Sequence, residues 1–330
     1  HDVFPQALLY LRIYLMGMPV ILLYNFEAAI FRSVGETRVP LVALAMSGVL
    51  NVLLNLFFVA VLHMTVNGVA IATVMANAFS SALLFRRLLR SGKDIRLEPR
   101  RLRMDGRSLW MILRIGLPAG LQSAVFAISN IVIQSAINSL GKVVMAASSA
   151  AYNIEVFAYD VMNSYNQACT TFVGQNYGAG QIRRCRKTLY LCLIEDAVSL
   201  GATVALVLLT GHFLLSIFNN DPQVIALGYD RLKIVFFAYI FSLLYEVMSG
   251  YLRGFGISLV PAALTALGVC GIRIAWIHFV FPQHPTLQTI MTSYPVSLSA
   301  TALMIFIALL CYRPARKHAA MEREPAPAGN

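Results

Sequence analysis

The chain has 330 residues, of which 58% are hydrophobic and only 12% charged, with a mean hydropathy of +0.69 and a formal net charge of +11. An apolar content this high, with about half the usual charge, excludes an ordinary water-soluble domain. The basic excess lies in short loops between apolar stretches, where the positive-inside rule accounts for it, so nucleic acid is not expected as a partner.

In chain order, apolar segments occupy residues 10–33, 39–62, 68–89, 110–138, 144–174, 188–217, 232–252, 259–281 and 289–311. Each is near or above the roughly 20 residues that a spanning helix needs. The expectation is an all-α integral membrane protein with nine transmembrane helices. Residues 1–90 hold three of these and residues 108–312 hold six. Between them, residues 91–107 form a basic linker with Gly92, Pro99 and Gly106. Residues 313–330, rich in Ala, Pro and Glu, read as a disordered tail.

Residues 10–59 and 231–280 repeat one another at a constant offset of 221 positions. Leu11/Leu232, Leu22/Leu243, Tyr24/Tyr245, Arg32/Arg253, Gly35/Gly256, Val39/Val260, Pro40/Pro261 and Phe58/Phe279 coincide without a gap. Apolar composition matches Leu with Leu by chance, but it does not align Tyr, then Arg-x-x-Gly, then Pro. Internal repeats inside a membrane are the mark of transporters, whose two similar bundles rock about a central site. In Arg-x-x-Gly the Arg reaches the cytoplasmic interface and the Gly ends the helix.

Alternating the nine segments puts Arg32, Arg38, the run from Arg86 to Arg107, Arg183 to Lys187, Arg253 and Arg313 to Arg323 on one side, with Lys142, Arg12, Arg231 and Lys233 on the other. The basic side is cytoplasmic by the same rule, which places the C terminus inside the cell and the protein in the plasma (inner) membrane. The five cysteines lack Cys-x-x-Cys spacing, so neither a disulfide framework nor a metal cluster is expected.

Five motifs then carry a family resemblance: Arg32-Ser-Val-Gly-Glu-Thr-Arg-Val-Pro40, Gly68-Val-Ala-Ile-Ala-Thr73, Gly116-Leu-Pro-Ala-Gly-Leu-Gln122 opening the fourth helix, Phe172-Val-Gly-Gln-Asn-Tyr-Gly-Ala-Gly180 closing the fifth, and Tyr251-Leu-Arg-Gly-Phe-Gly256. Together they resemble the multidrug and toxic compound extrusion (MATE) family, and Asn153-Ile-Glu-Val-Phe157 with Thr292-Ser-Tyr-Pro295 looks most like its prokaryotic branch. The resemblance implies two six-helix lobes around a central cavity and export of small, cationic amphiphilic compounds in exchange for sodium ions or protons. It also implies that the chain, which starts at His1, is a fragment holding helices 4–12 of a pseudo-symmetric twelve-helix, two-lobe, monomeric transporter, not expected to transport without the others. Some relatives couple through acids at the positions held here by Phe126 and Ser242. No enzyme activity and no cofactor beyond the coupling ion is implied, and the residues of any sodium site stay open.

A charge at bilayer depth costs about 2.5–3.5 kcal/mol or more unless it meets water or a partner, so function is sought among intramembrane ionisable groups. Tyr152, Glu155, Tyr159, Asn163 and Asn166 form one stripe of the fifth helix; Asn153, Asp160, Ser164 and Gln167 form a second. Glu155 and Asp160 are therefore candidates, against a structural role as interhelical hydrogen bonds. Glu246 follows Tyr245, and its mate in the first copy is Asn25. Glu27 stands on another face and is as well explained by pairing with a basic helix partner. Glu195 and Asp196 read as interfacial pairs, and Arg273 as a counter-ion for a buried acid. Asn130 and Gln134 on the fourth helix and Asn51 on the second supply amides for a drug site, with Met and aromatic residues as its adaptable wall.

Two other readings remain. A flippase of lipid-linked oligosaccharides with the same superfamily fold would need cavity Arg or Lys for pyrophosphate. A membrane-embedded enzyme would need a nucleophile and base or paired ligands, and the sequence has no His-Glu-x-x-His or Gly-x-Ser-x-Gly.

Overall fold

A computed structural model describes residues 3–92 and 95–314 of the chain. Among these residues every long element is a helix: α1 (Val3–Ser33), α2 (Arg38–Val61), α3 (Val66–Leu89), α4 (Gly106–Ser139), α5 (Lys142–Gly178), α6 (Ile182–Phe218), α7 (Pro222–Gly254), α8 (Leu259–Gln283) and α9 (Leu287–Tyr312). The nine correspond one to one to the nine apolar segments. Eight contain a stretch long and apolar enough to cross a membrane, and the exception is α5. The tail expected to be disordered lies, from residue 315 on, outside the described residues.

Helix starts follow local chemistry. Asp105 caps α4 by accepting from the Ser108 amide at 2.8 Å and from its hydroxyl at 2.6 Å, and Asp221 caps α7 ahead of Pro222. Helix α4 therefore begins ten residues before Gly116-Leu-Pro, which lies inside it instead of opening it. The Ser108 bonds hold the Asp105 carboxyl below its ordinary value of 3.8. Its capping contribution is thus complete above that value and is lost as pH falls through the lower folded-state value.

The chain forms two compact units, one through Met104 and one from Asp105 onward. In the first, α1 and α2 both pack on α3, around Tyr24, Ala28, Phe31, Ala43, Leu84 and Leu88. In the second, α7 is the central helix, packed on α5, α6 and α9, and it is by far the most buried of the eight apolar spans. Helix α4, at the other extreme, leaves nearly all of its apolar surface exposed, as suits a helix whose neighbours include lipid.

The repeat holds bond for bond. Helices α1 and α7 end at Ser33 and Gly254, and α2 and α8 begin at Arg38 and Leu259, both pairs in the 221-residue register. In the turn, Gly35 N–H donates to Arg32 and Glu36 N–H to Phe31; Gly256 and Ile257 repeat this on Arg253 and Leu252. Gly35 and Gly256 both take a left-handed φ, +82° and +79°. The register continues beyond the stretch legible in sequence, since α3 and α9 begin at Val66 and Leu287, each preceded by Thr. The copies differ in the placing of a backbone irregularity. A widened, π-type turn lies at Phe57–Val61 in α2 but at Ala266–Gly271 in α8, so the second helices of the hairpins do not bend alike.

Nothing lies within 4 Å of a Cβ added at either turn glycine, so the cost of a side chain there is conformational only. Gly35→Ala and Gly256→Ala are each expected to destabilise the protein by about 1–2 kcal/mol, read as matched falls in thermal stability in detergent. Unequal effects would break the equivalence of the two turns. For the α4 cap, exchange of the Ser108 amide is expected to accelerate below the Asp105 titration, and Asp105→Ala to show that faster exchange at neutral pH.

Candidate functional site

The second unit contains a cavity of about 360 Å³ whose wall includes Phe126, Asn130, Tyr152, Glu155, Tyr159, Tyr239, Ser242, Tyr245, Arg273 and Tyr294. A second cavity of about 370 Å³ adjoins it through the shared Asn130, Tyr152 and Tyr294, and adds Gln134, Ser148, Asn153 and Arg231. The lining comes from α4, α5, α7, α8 and α9. The first stripe of α5 supplies Tyr152, Glu155 and Tyr159 because these residues lie one helical turn apart on one face. Phe126 and Ser242 line the same wall.

Glu155 is 3% exposed and bound in both oxygens by Arg231, whose Nε and Nη2 donate at 2.7 and 2.8 Å; Nη1 donates to the Ser148 hydroxyl at 2.6 Å. This two-pronged pair joins α5 to α7. The assignment of Arg231 to a bare helix end is thereby corrected: it is 3% exposed, in the interior of the unit. Its proximity to Glu155 crosses 76 positions of sequence, beyond the reach of any local pattern.

Glu246 is also buried, and its Oε2 accepts from Asn166 Nδ2 at 2.6 Å. A Cβ on Gly250 would stand 2.5 Å from Asn166 Oδ1, so this close crossing of α5 and α7 requires glycine there. Thr170 Oγ1 donates to the Gly250 carbonyl at 3.1 Å and ties the same crossing one turn on.

The remaining candidates divide. Asn130, Gln134, Tyr152, Tyr159 and Tyr245 belong to the cavity walls. Asp160 is exposed, Asn163 is half-buried, and neither lines these cavities. Arg273 is not the counter-ion of an acid in the described ion pairs: its Nε donates to Ser297 at 3.0 Å and its guanidinium lies 3.9 Å from the Tyr294 ring centre. Asp196 corrects the expectation of interfacial pairing, being completely buried with neither oxygen hydrogen-bonded, while Glu195 is exposed. In the first unit, Glu27 takes a hydroxyl bond from Ser81 at 2.9 Å in place of a basic partner, Asn25 is exposed, and Asn51 holds Asn55 at 3.0 Å. Tyr239 and Tyr294 were not legible as site residues, because single tyrosines in apolar helices carry no distinguishing signal.

Within the second unit, membrane-length helices enclose a polar, tyrosine-walled cavity, the architecture of a multi-pass membrane protein. The MatE family model matches residues 118–277, and the model of the lipid II flippase MurJ matches residues 6–132. The probable multidrug resistance protein YoeA of Bacillus subtilis is 22% identical over 90% of the chain and 66% of its own length. YpnP of the same organism, also a probable multidrug resistance protein, is 26% identical over 82% and 60%. Among solved structures, a MOP superfamily transporter from Pyrococcus furiosus, whose binding pocket is described as reversed in polarity, superposes with a TM-score of 0.86 at 20% identity, covering 96% of this chain and 71% of its own. These matches make the chain similar to the MATE family over its second unit above all. It spans about two thirds or less of the length of these two curated relatives.

Because Arg231 and Glu155 neutralise each other in the interior, Glu155→Gln is expected to cost about 3–5 kcal/mol by leaving a buried guanidinium unpaired. Adding Arg231→Gln should recover most of that loss. A thermal-unfolding cycle of the two single variants and the double variant checks this, and additive losses would mean the pair is not a unit.

Proposed function

We propose that the whole protein is a secondary active efflux transporter of the plasma membrane that exports small, cationic amphiphilic compounds in exchange for sodium ions or protons, with its C terminus cytoplasmic. The observation carrying this reading is the tyrosine-walled cavity with carboxylates at bilayer depth in and beside it. Tyrosine faces attract cations and accept flat apolar bodies alike, and the names of the curated relatives point to multidrug resistance. A carboxylate withdrawn from water is relieved by taking up a proton or a sodium ion. Glu246 suits that task, since it is buried with no basic side chain bonded to it among the described hydrogen bonds. Glu155 stands in the wall with its charge held by Arg231, so a cationic compound competes with an internal guanidinium for it. Exchange then follows from mutual exclusion. Residues 1–90 and 108–312 would belong to the two lobes of such an exporter.

The flippase reading draws on the match of residues 6–132, but pyrophosphate binding asks for free positive charge. Arg231 is neutralised by Glu155, and Arg273 is engaged with Ser297 and Tyr294. The cavity therefore suits amphiphiles better than a lipid pyrophosphate.

Glu246→Gln keeps an acceptor for Asn166 and removes the charge. In vesicles containing the full-length protein, this variant is expected to reduce gradient-driven dye export to the level of empty vesicles while folding is retained. Export at the unmodified rate with unchanged sodium and pH dependence would remove Glu246 from the coupling role.

A further inference from the structure

At the end of the second unit where α6 begins and α7 and α9 stop, a cavity of about 280 Å³ opens between Arg186 and Tyr190 of α6, Tyr251 of α7 and Leu310 of α9, with Arg313 and Pro314 just past the end of α9. Helices α6 and α9 both pack on α7, and Tyr251, which is buried, forms the floor. The lining carries two guanidinium groups and no acid. Both arginines are exposed and neither belongs to a described ion pair; Arg313 gives its Nε to the Leu310 carbonyl at 2.9 Å. Arg313 also takes a left-handed φ of +41°, a conformation costly for an L side chain, where many helices end on glycine. The walls continue in uncovered apolar side chains. Ile194, one turn on from Tyr190 along α6, is exposed, as are Ile307 and Leu303, one and two turns back from Leu310 along α9. The groove is therefore positive at its mouth and apolar along its length. Its place, among tyrosines at helix ends beside the basic stretch Arg183–Lys187, is the level at which a bilayer changes from headgroup to hydrocarbon.

We propose that this groove holds one anionic phospholipid, its phosphate between the Arg186 and Arg313 guanidinium groups and an acyl chain along the exposed faces of α6 and α9. Charge selects the headgroup. Guanidinium donors match a phosphodiester, whereas a zwitterionic lipid also brings an ammonium group to a site with two positive charges and no acid. Continuity selects a lipid over a free anion, because the groove runs on from the arginines into apolar rows that a small hydrophilic ion leaves unused. Basic pockets between membrane helices recognise anionic headgroups on this principle. With one arginine on α6 and the other just past α9, a bound headgroup ties together two helices that both lean on α7. The site shares no lining residue with the two cavities described above, and it stands independently of the exchange reading.

The test uses the full-length protein, purified and stripped of lipid in mild detergent. Thermal unfolding is followed during titration with phosphatidylglycerol, with phosphatidylcholine of the same acyl chains, or with inorganic phosphate at constant ionic strength. Phosphatidylglycerol is expected to raise the unfolding temperature saturably, by on the order of 5 °C, and the other two to leave it nearly unchanged. Arg186→Gln and Arg313→Gln are each expected to raise the half-saturating phosphatidylglycerol concentration about tenfold, since each removes a charge-assisted bond. Both arginines are exposed, so the variants are expected to fold. Arg183→Gln, which alters an exposed arginine of the same helix outside the lining, is expected to titrate like the wild type. Equal stabilisation by phosphatidylcholine would make the effect one of lipid in general, equal stabilisation by phosphate would make the site one for a free anion, and equal loss in Arg183→Gln would make it one of surface charge. Each of these outcomes overturns the proposal, as does a wild type indifferent to phosphatidylglycerol or a lining variant that titrates like the wild type.

Discussion

Helix α5 is too polar to cross a bilayer facing lipid, and the architecture of the second unit is the consequence of covering it. Glu155, Asn166 and the Tyr152/Tyr159 face must meet partners or a cavity, since hydrocarbon offers none. Helix α7 meets most of that demand. Its Arg231 neutralises Glu155 near one end, and its Glu246 takes the Asn166 amide near the other. Just beyond the second clasp the two helices cross at a glycine. Gly250 lets the backbones approach closely enough for Thr170 to bond across, in the manner of membrane helices that associate by small side chains and polar bonds.

The repeated hairpins carry different polar residues at equivalent positions. Helix α1 packs chiefly on α3 within the first unit, and α7 packs on α5, α6 and α9 within the second. Glu246 has a buried amide partner in Asn166, while its mate Asn25 bonds its own backbone at Ile21. Glu27 solves its burial differently, through the Ser81 hydroxyl of α3.

Charge in the cavity is balanced instead of concentrated. Glu155 and Arg231 cancel, Arg273 spreads its charge on the Tyr294 ring and Ser297, and the wall between is mostly phenol.

The amino-acid sequence by itself determined what depends on neighbours within a few turns. Nine apolar lengths became nine helices, Arg-x-x-Gly became two turns with matching left-handed glycines, and the polar stripe of α5 became the cavity wall at Tyr152, Glu155 and Tyr159. Each of these is local, set by helix period or by glycine's freedom at positive φ. Only the tertiary structure decided that Arg231 is an interior cation, that Arg273 rests on a ring and not on an acid, and that Asp196 is sealed without a partner. Those facts depend on which helix faces which. Ion pairs and orphaned acids are made between residues tens of positions apart, where hydropathy reads the same for a lipid-facing, a cavity-facing and a buried position.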